Sequence, residues 1–164
     1  MAVEIYKRQW GSYGVGDGQF SAPAGLIVSS SEVFVVDSAN HRIQVFDLDG
    51  VYKRQWGSYG VGDGQFDTPY GLDVSSSEVF VSESANHRIQ VFDLNGVYKR
   101  QWGSSGVGDG QFNDPEGIDV SSSEVFVSDM GNNRIQVFGP EVLAGGMKSA
   151  MRFQSYSSML SSMR

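Results

Sequence analysis

The chain has 164 residues, the length of one domain, with ordinary apolar and generous aromatic content, so it can bury a core. Twelve basic against nineteen acidic residues leave a net charge of -7, which argues against general binding to nucleic acid or anionic membranes, where phosphate rewards clustered Lys and Arg. The absence of cysteine excludes a disulfide framework and a thiolate metal site.

Residues 1–8 have no apolar core of signal-peptide length, and no run approaches membrane-spanning length. A cytoplasmic protein without membrane contact is expected. Self-similarity organises the rest. Residues 38–46 return as 84–92 and again as 130–138, a step of 46 residues that Trp10, Trp56 and Trp102 also keep. So long and tight a period marks a repeat architecture.

In chain order, the sequence opens on a lone strand at residues 4–10. Three repeats follow, at 26–56, 72–102 and 118–138. The middle one shows the pattern. A short strand a (71–74) leads through a serine turn to strand b (78–82), rich in β-branched and aromatic residues. A loop (83–87) precedes strand c (88–92). The Asn95-Gly96 pair then signals a tight hairpin turn before strand d (97–102). Four antiparallel strands in a meander make one propeller blade. A fifteen-residue glycine-rich connection, 57–71 in its middle copy, links strand d to the next strand a. Connections of this length are uncommon and often functional. Phe66 is expected to pin the loop between blades. The repeat stops after Phe138, so the last blade lacks its own strand d while the first strand d lacks a blade. The tail, 139–164, is rich in Ser and Met and reads as a weakly ordered terminus or a short helix.

The run Gly-x-Gly-x-Gly-Gln-Phe-x-x-Pro-x-Gly-[Leu/Ile]-x-Val, then Val-Phe-Val-x-[Asp/Glu], then Asn-His-Arg-Ile-Gln-Val-Phe, resembles the NHL repeat over residues 4–138. The third copy departs from it at Met130, Gly131 and Asn133. The resemblance implies an all-β fold, a β-propeller that usually has six blades in this family. With three blades' worth per chain, closure is expected through a homodimer, residues 4–10 of each copy completing the last blade of the other.

The chemistry-bearing residues divide into two sets. Asp37, Glu83 and Asp129 are expected to pair with Arg42, Arg88 and Arg134 across the b–c loop. Asn40, Asn86 and Asn132 are expected to take the left-handed backbone angle of that turn. His41 and His87 are candidate ligands, but adjacent blades hold them too far apart to share a metal. The Gly-Val-Gly-Asp-Gly run leads into a strand rather than a helix, so it is no phosphate loop. Asp17, Asp63 and Asp109 have too few neighbouring carboxylates for calcium. Hence no cofactor, metal or catalytic residue is expected.

Differences between the copies concentrate in the d–a and b–c loops, which leave a meander on one face. Tyr13, Tyr59, Tyr70 and Glu116, with His41, His87, Met130 and Asn133, are the candidate partner-binding residues. The expected function is a non-enzymatic scaffold that binds a protein through this face. Single-stranded RNA, which the resemblance also implies, is disfavoured by the acidic balance. A metal-dependent lyase or a lactonase-like enzyme is the third reading. Near-identical blades supply no unique catalytic constellation for it.

Overall fold

The computed structural model describes residues 4–140 and 153–155. Three four-stranded antiparallel meanders follow one another. The first comprises β1 (Pro23–Val28), β2 (Glu32–Asp37), β3 (Arg42–Asp47) and β4 (Tyr52–Trp56). The second comprises β5 (Pro69–Val74), β6 (Glu78–Glu83), β7 (Arg88–Asp93) and β8 (Tyr98–Trp102). The third comprises β9 (Pro115–Val120), β10 (Val125–Asp129), β11 (Arg134–Pro140) and β12 (Phe153–Ser155). These are three blades of a β-propeller. Each inner strand begins at its proline, earlier than the hydrophobic pattern suggests. An irregularity between Pro69 and Leu72 lets Pro69 face Glu83 before regular pairing resumes, and the first residue of a strand tolerates a missing N–H.

Two segments differ from the sequence reading. Residues 4–10 form no strand in the single chain, because a strand exists only against a partner's ladder. Residues 153–155 lie in the tail yet pair with Phe138, Gly139 and Pro140 as a short fourth strand, where a weakly ordered terminus or a helix was expected. The remainder of the tail lies outside the described residues.

Blades stack through apolar faces, so their middle strands are buried on both sides. One core cluster joins Phe34, Val36 and Ile43 of the first blade to Phe66, Val79 and Phe92. A second joins Phe80, Ile89 and Val91 to Phe112, Val127 and Phe138. The tryptophan ending each outer strand packs onto the next blade: Trp56 lies 5.8 Å from Phe92 and Trp102 5.5 Å from Phe138, ring centre to ring centre. Trp10 meets Phe46 in the same way, at 6.0 Å. Residues 4–10 therefore rest on the first blade as the outer strand of a preceding blade would.

At the inner strands, backbones nearly touch. A Cβ on Gly71 would lie 2.1 Å from the Glu116 carbonyl oxygen of the next blade. Gly71→Ala must push two blades apart, and we expect it to cost about 2–3 kcal/mol in urea unfolding.

At the outer edge, Arg54 grips Glu32 with two hydrogen bonds of 2.8 Å, and Arg100 holds Glu78 likewise, at 2.7 and 2.8 Å. The Arg54 hydrogen bonds hold the Glu32 carboxyl at about 2, against an ordinary 4.5. The Glu78 carboxyl is lowered for the same reason. A carboxylate with a depressed folded-state pKa stabilises the fold above its unfolded value and loses that contribution as pH falls toward the folded one. Stability should therefore drop between about pH 4.5 and pH 2. Glu32→Gln should remove part of that drop and cost about 1 kcal/mol at pH 7, read from urea melts at both pH values.

Candidate protein-binding face

The long glycine-rich loop exposes a run of backbone carbonyls that need donors. One arginine per blade supplies them. Arg42 donates from Nε to Asp37 at 2.7 Å, from Nη1 to the Val15 carbonyl and Gln55, both at 2.7 Å, and from Nη2 to the Gly16 and Gln19 carbonyls at 2.9 Å. Arg88 repeats the set with Glu83, the carbonyls of Val61, Gly62 and Gln65, and Gln101. Arg134 reaches Asp129 and the carbonyls of Val107, Gly108 and Gln111. Among the described residues it has no glutamine partner. Its side chain is 28% exposed, against 8% for Arg42 and Arg88.

The rest of the motif completes the clamp. Asn40 donates to the Gly14 carbonyl and to Asp37, both at 2.9 Å, and Asn86 and Asn132 act alike. Gln44 donates to the Gln19 carbonyl at 2.6 Å and accepts from the Gly18 N–H at 2.9 Å. These polar atoms are consumed within the blade. The left-handed backbone angle falls one residue later than expected, on His41, His87 and Asn133, with φ of 52°, 51° and 54°. His41 and Asn133 close single 3-10 turns and His87 closes the corresponding turn of the second blade, and that closing position sets the angle whatever the residue. The asparagines before them spend their side chains on the loop instead.

The b–c turn and the d–a loop are tied at one face. The N–H of Ala39 donates to the Ser21 carbonyl, that of Ser84 to Thr68, and that of Met130 to Asp114. On this face Tyr13 is 87% exposed and Tyr59 67%. Met130, Tyr70 and Asn133 are exposed, and His41, His87 and Glu116 are half-buried. The structure brings some of these together across blades. The rings of His41 and Tyr59 meet edge to face at 4.9 Å. His87 Nδ1 accepts from the Asp114 N–H at 3.3 Å, and Ser84 donates to the Asp114 carboxylate at 3.2 Å. The structure does not join His41 to His87. Among the described residues, no three His, Asp or Glu side chains gather as a metal site would need.

Two contributors stand among the positions that differ between copies but outside the candidate set. Asp114 is one; the copies carry Ala22 and Thr68 in its place. The other is the pair Asp73 and Asp119 on adjacent inner strands. Asp73 accepts from the N–H groups of Val74 at 2.7 Å and Val120 at 2.6 Å. Burial pushes its carboxyl above the ordinary range, with neighbouring Asp119 adding to the rise.

Residues 112–138 match the sequence profile of the NHL repeat. The chain is 45% identical over 47 residues to Protein brain tumor of Drosophila melanogaster and 47% identical over 47 residues to the B-box type zinc finger protein ncl-1 of Caenorhabditis elegans. Each match covers 28% of this chain, and 4% and 6% of those proteins respectively. The virginiamycin B lyase of Staphylococcus aureus shares the fold, with a TM-score of 0.56 and 20% identity over 82% of this chain and 40% of that one.

Removing Arg88 strands a buried Glu83 and several carbonyls. Arg88→Ala should cost about 3–5 kcal/mol, and Arg134→Ala distinctly less, because its guanidinium is partly hydrated. Urea melts of the two variants side by side check this order.

Proposed function

We propose that the chain is a non-enzymatic propeller scaffold of the cytoplasm that binds a protein partner through the face of the d–a loops and b–c turns, as half of a homodimeric ring. The observation that carries this reading is the arginine clamp. It fixes the loop backbone while leaving the side chains that differ between copies pointing out. Tyr13, Tyr59, Tyr70 and Met130 are of the types that dominate protein interfaces, and a pre-ordered loop loses little entropy on binding.

The charge of the face separates this reading from RNA binding. Arg42 and Arg88 spend their donors inside the blade, and Lys53, Arg54, Lys99 and Arg100 sit on the outer edge against Glu32 and Glu78. The loops themselves carry Asp17, Asp63, Asp67, Asp109 and Asp114, and Glu116 follows at the start of β9. Phosphate would be repelled there. The lyase likeness is one of fold and supplies no chemistry to this chain.

Selection of binders from a displayed random-peptide library tests the proposal. Binders should lose about tenfold or more in affinity for Tyr59→Ala and Tyr70→Ala, while urea melts of the variants stay near wild type. Tight binding of a single-stranded oligonucleotide at physiological salt, with no face-dependent peptide, would reverse it.

A further inference from the structure

The third blade is built like the others but, among the described residues, lacks the side chains that its outer strand should bring. Ile43 and Ile89 are fully buried opposite Trp56 and Trp102, whereas Ile135 is 63% exposed. Arg54 and Arg100 cover the Phe34 and Phe80 rings at 5.7 and 5.8 Å, whereas Phe126 is 37% exposed. Glu32 and Glu78 each hold a Lys–Arg pair, whereas among the described residues Glu124 holds no cation. Among the described residues Arg134 has no counterpart of Gln55 or Gln101. The short strand β12 pairs with β11 at Phe138, Gly139 and Pro140, beyond Arg134 and Ile135.

The missing set is Tyr-Lys-Arg-Gln-Trp, the sequence of β4 and β8. It stands once more in the chain, at Tyr6, Lys7, Arg8, Gln9 and Trp10. There the complementary half is already in place. Trp10 packs on Phe46, and Arg8 donates to the Leu48 carbonyl as Arg54 donates to Leu94. What Arg8 lacks is the carboxylate that Arg54 finds in Glu32. Its side chain is half exposed, and its ion pair among the described residues is with exposed Asp49 at 3.5 Å.

We infer that residues 6–10 of one copy add to β11 of a second copy, and reciprocally, in a fixed register: Trp10 opposite Ile135, Gln9 opposite Gln136, Arg8 opposite Val137 and Tyr6 opposite Phe138. This rests on the reading of the chain as half of a ring and specifies the joint. Arg8 then bridges the two chains. It holds Glu124 of one copy and stacks on that copy's Phe126, while it keeps the Leu48 carbonyl of its own. Gln9 fills the vacant donor of Arg134, and Trp10 covers Ile135. Pairing at Phe138 displaces β12 there, so the tail strand and the arriving strand compete for that one residue.

Sedimentation equilibrium of the full chain at micromolar concentration should give twice the 17.9 kDa of one chain. Arg8→Glu and Glu124→Arg each place like charges at both joints, and each should weaken the dimer by about a hundredfold or more. Mixed in equal amounts, the two variants form a dimer in which both joints are complementary again, so the mixture should recover the two-chain mass. A wild-type chain of single mass overturns the joint and the ring together. A wild-type dimer whose variants dimerise equally well overturns the joint and leaves the ring standing. Folded single variants, checked by circular dichroism, whose mixture stays monomeric also overturn the joint.

Discussion

Everything on the loop-bearing face depends on one ion pair: a guanidinium beside a buried carboxylate in each blade. A charge removed from water is costly unless its partner and all its donors are met. Arg42 meets that demand by gathering three carbonyls of a loop that has no regular structure of its own. The loop is thereby given a shape, and Asp37 is given a reason to be buried. Asparagine and glutamine of the same strand-and-turn close the remaining gaps. The sequence Asn-His-Arg-Ile-Gln thus reads as a device for holding a loop, with only its second position facing outward.

Stacking is the second constraint. A blade with one covered face is unfinished, since strands such as β6 and β7 are apolar on both sides. Phenylalanines from the long loops, Phe66 and Phe112, enter the cores between blades and lock each loop to two sheets at once. The loop face and the blade stack are one structure, and distortion of either is felt by both. Gly71 shows how little slack there is, since its neighbour's carbonyl occupies the space of a methyl group.

Much of this was legible in the residues. The 46-residue step and the β-branched runs showed the order of the strands from β1 to β11, because pleated, doubly buried strands demand those side chains. The ion pairs followed from charge and spacing. Other features were hidden for physical reasons. The left-handed residue was placed on Asn40 from its intrinsic tolerance, but the turn's closing position fell on His41. Residues 4–10 carry a strand's sequence without a strand's partner. The Phe-Gln-Ser of β12 carries no strand pattern, so its pairing was invisible. The meeting of His87 with Asp114 links positions 27 residues apart whose residues change from copy to copy, so comparison of copies marks each position but not their contact.

That meeting has a wider consequence. Ser84 and His87 belong to the turn of one blade, and Asp114 to the loop that enters the next. At the preceding joint Thr68 stands in place of Asp114, and His41 Nδ1 is left without a partner among the described residues. The surface is therefore not a mosaic of independent tiles. A residue exchanged on one blade changes what a ring on its neighbour is bonded to, so neighbouring blades of this face are coupled in pairs.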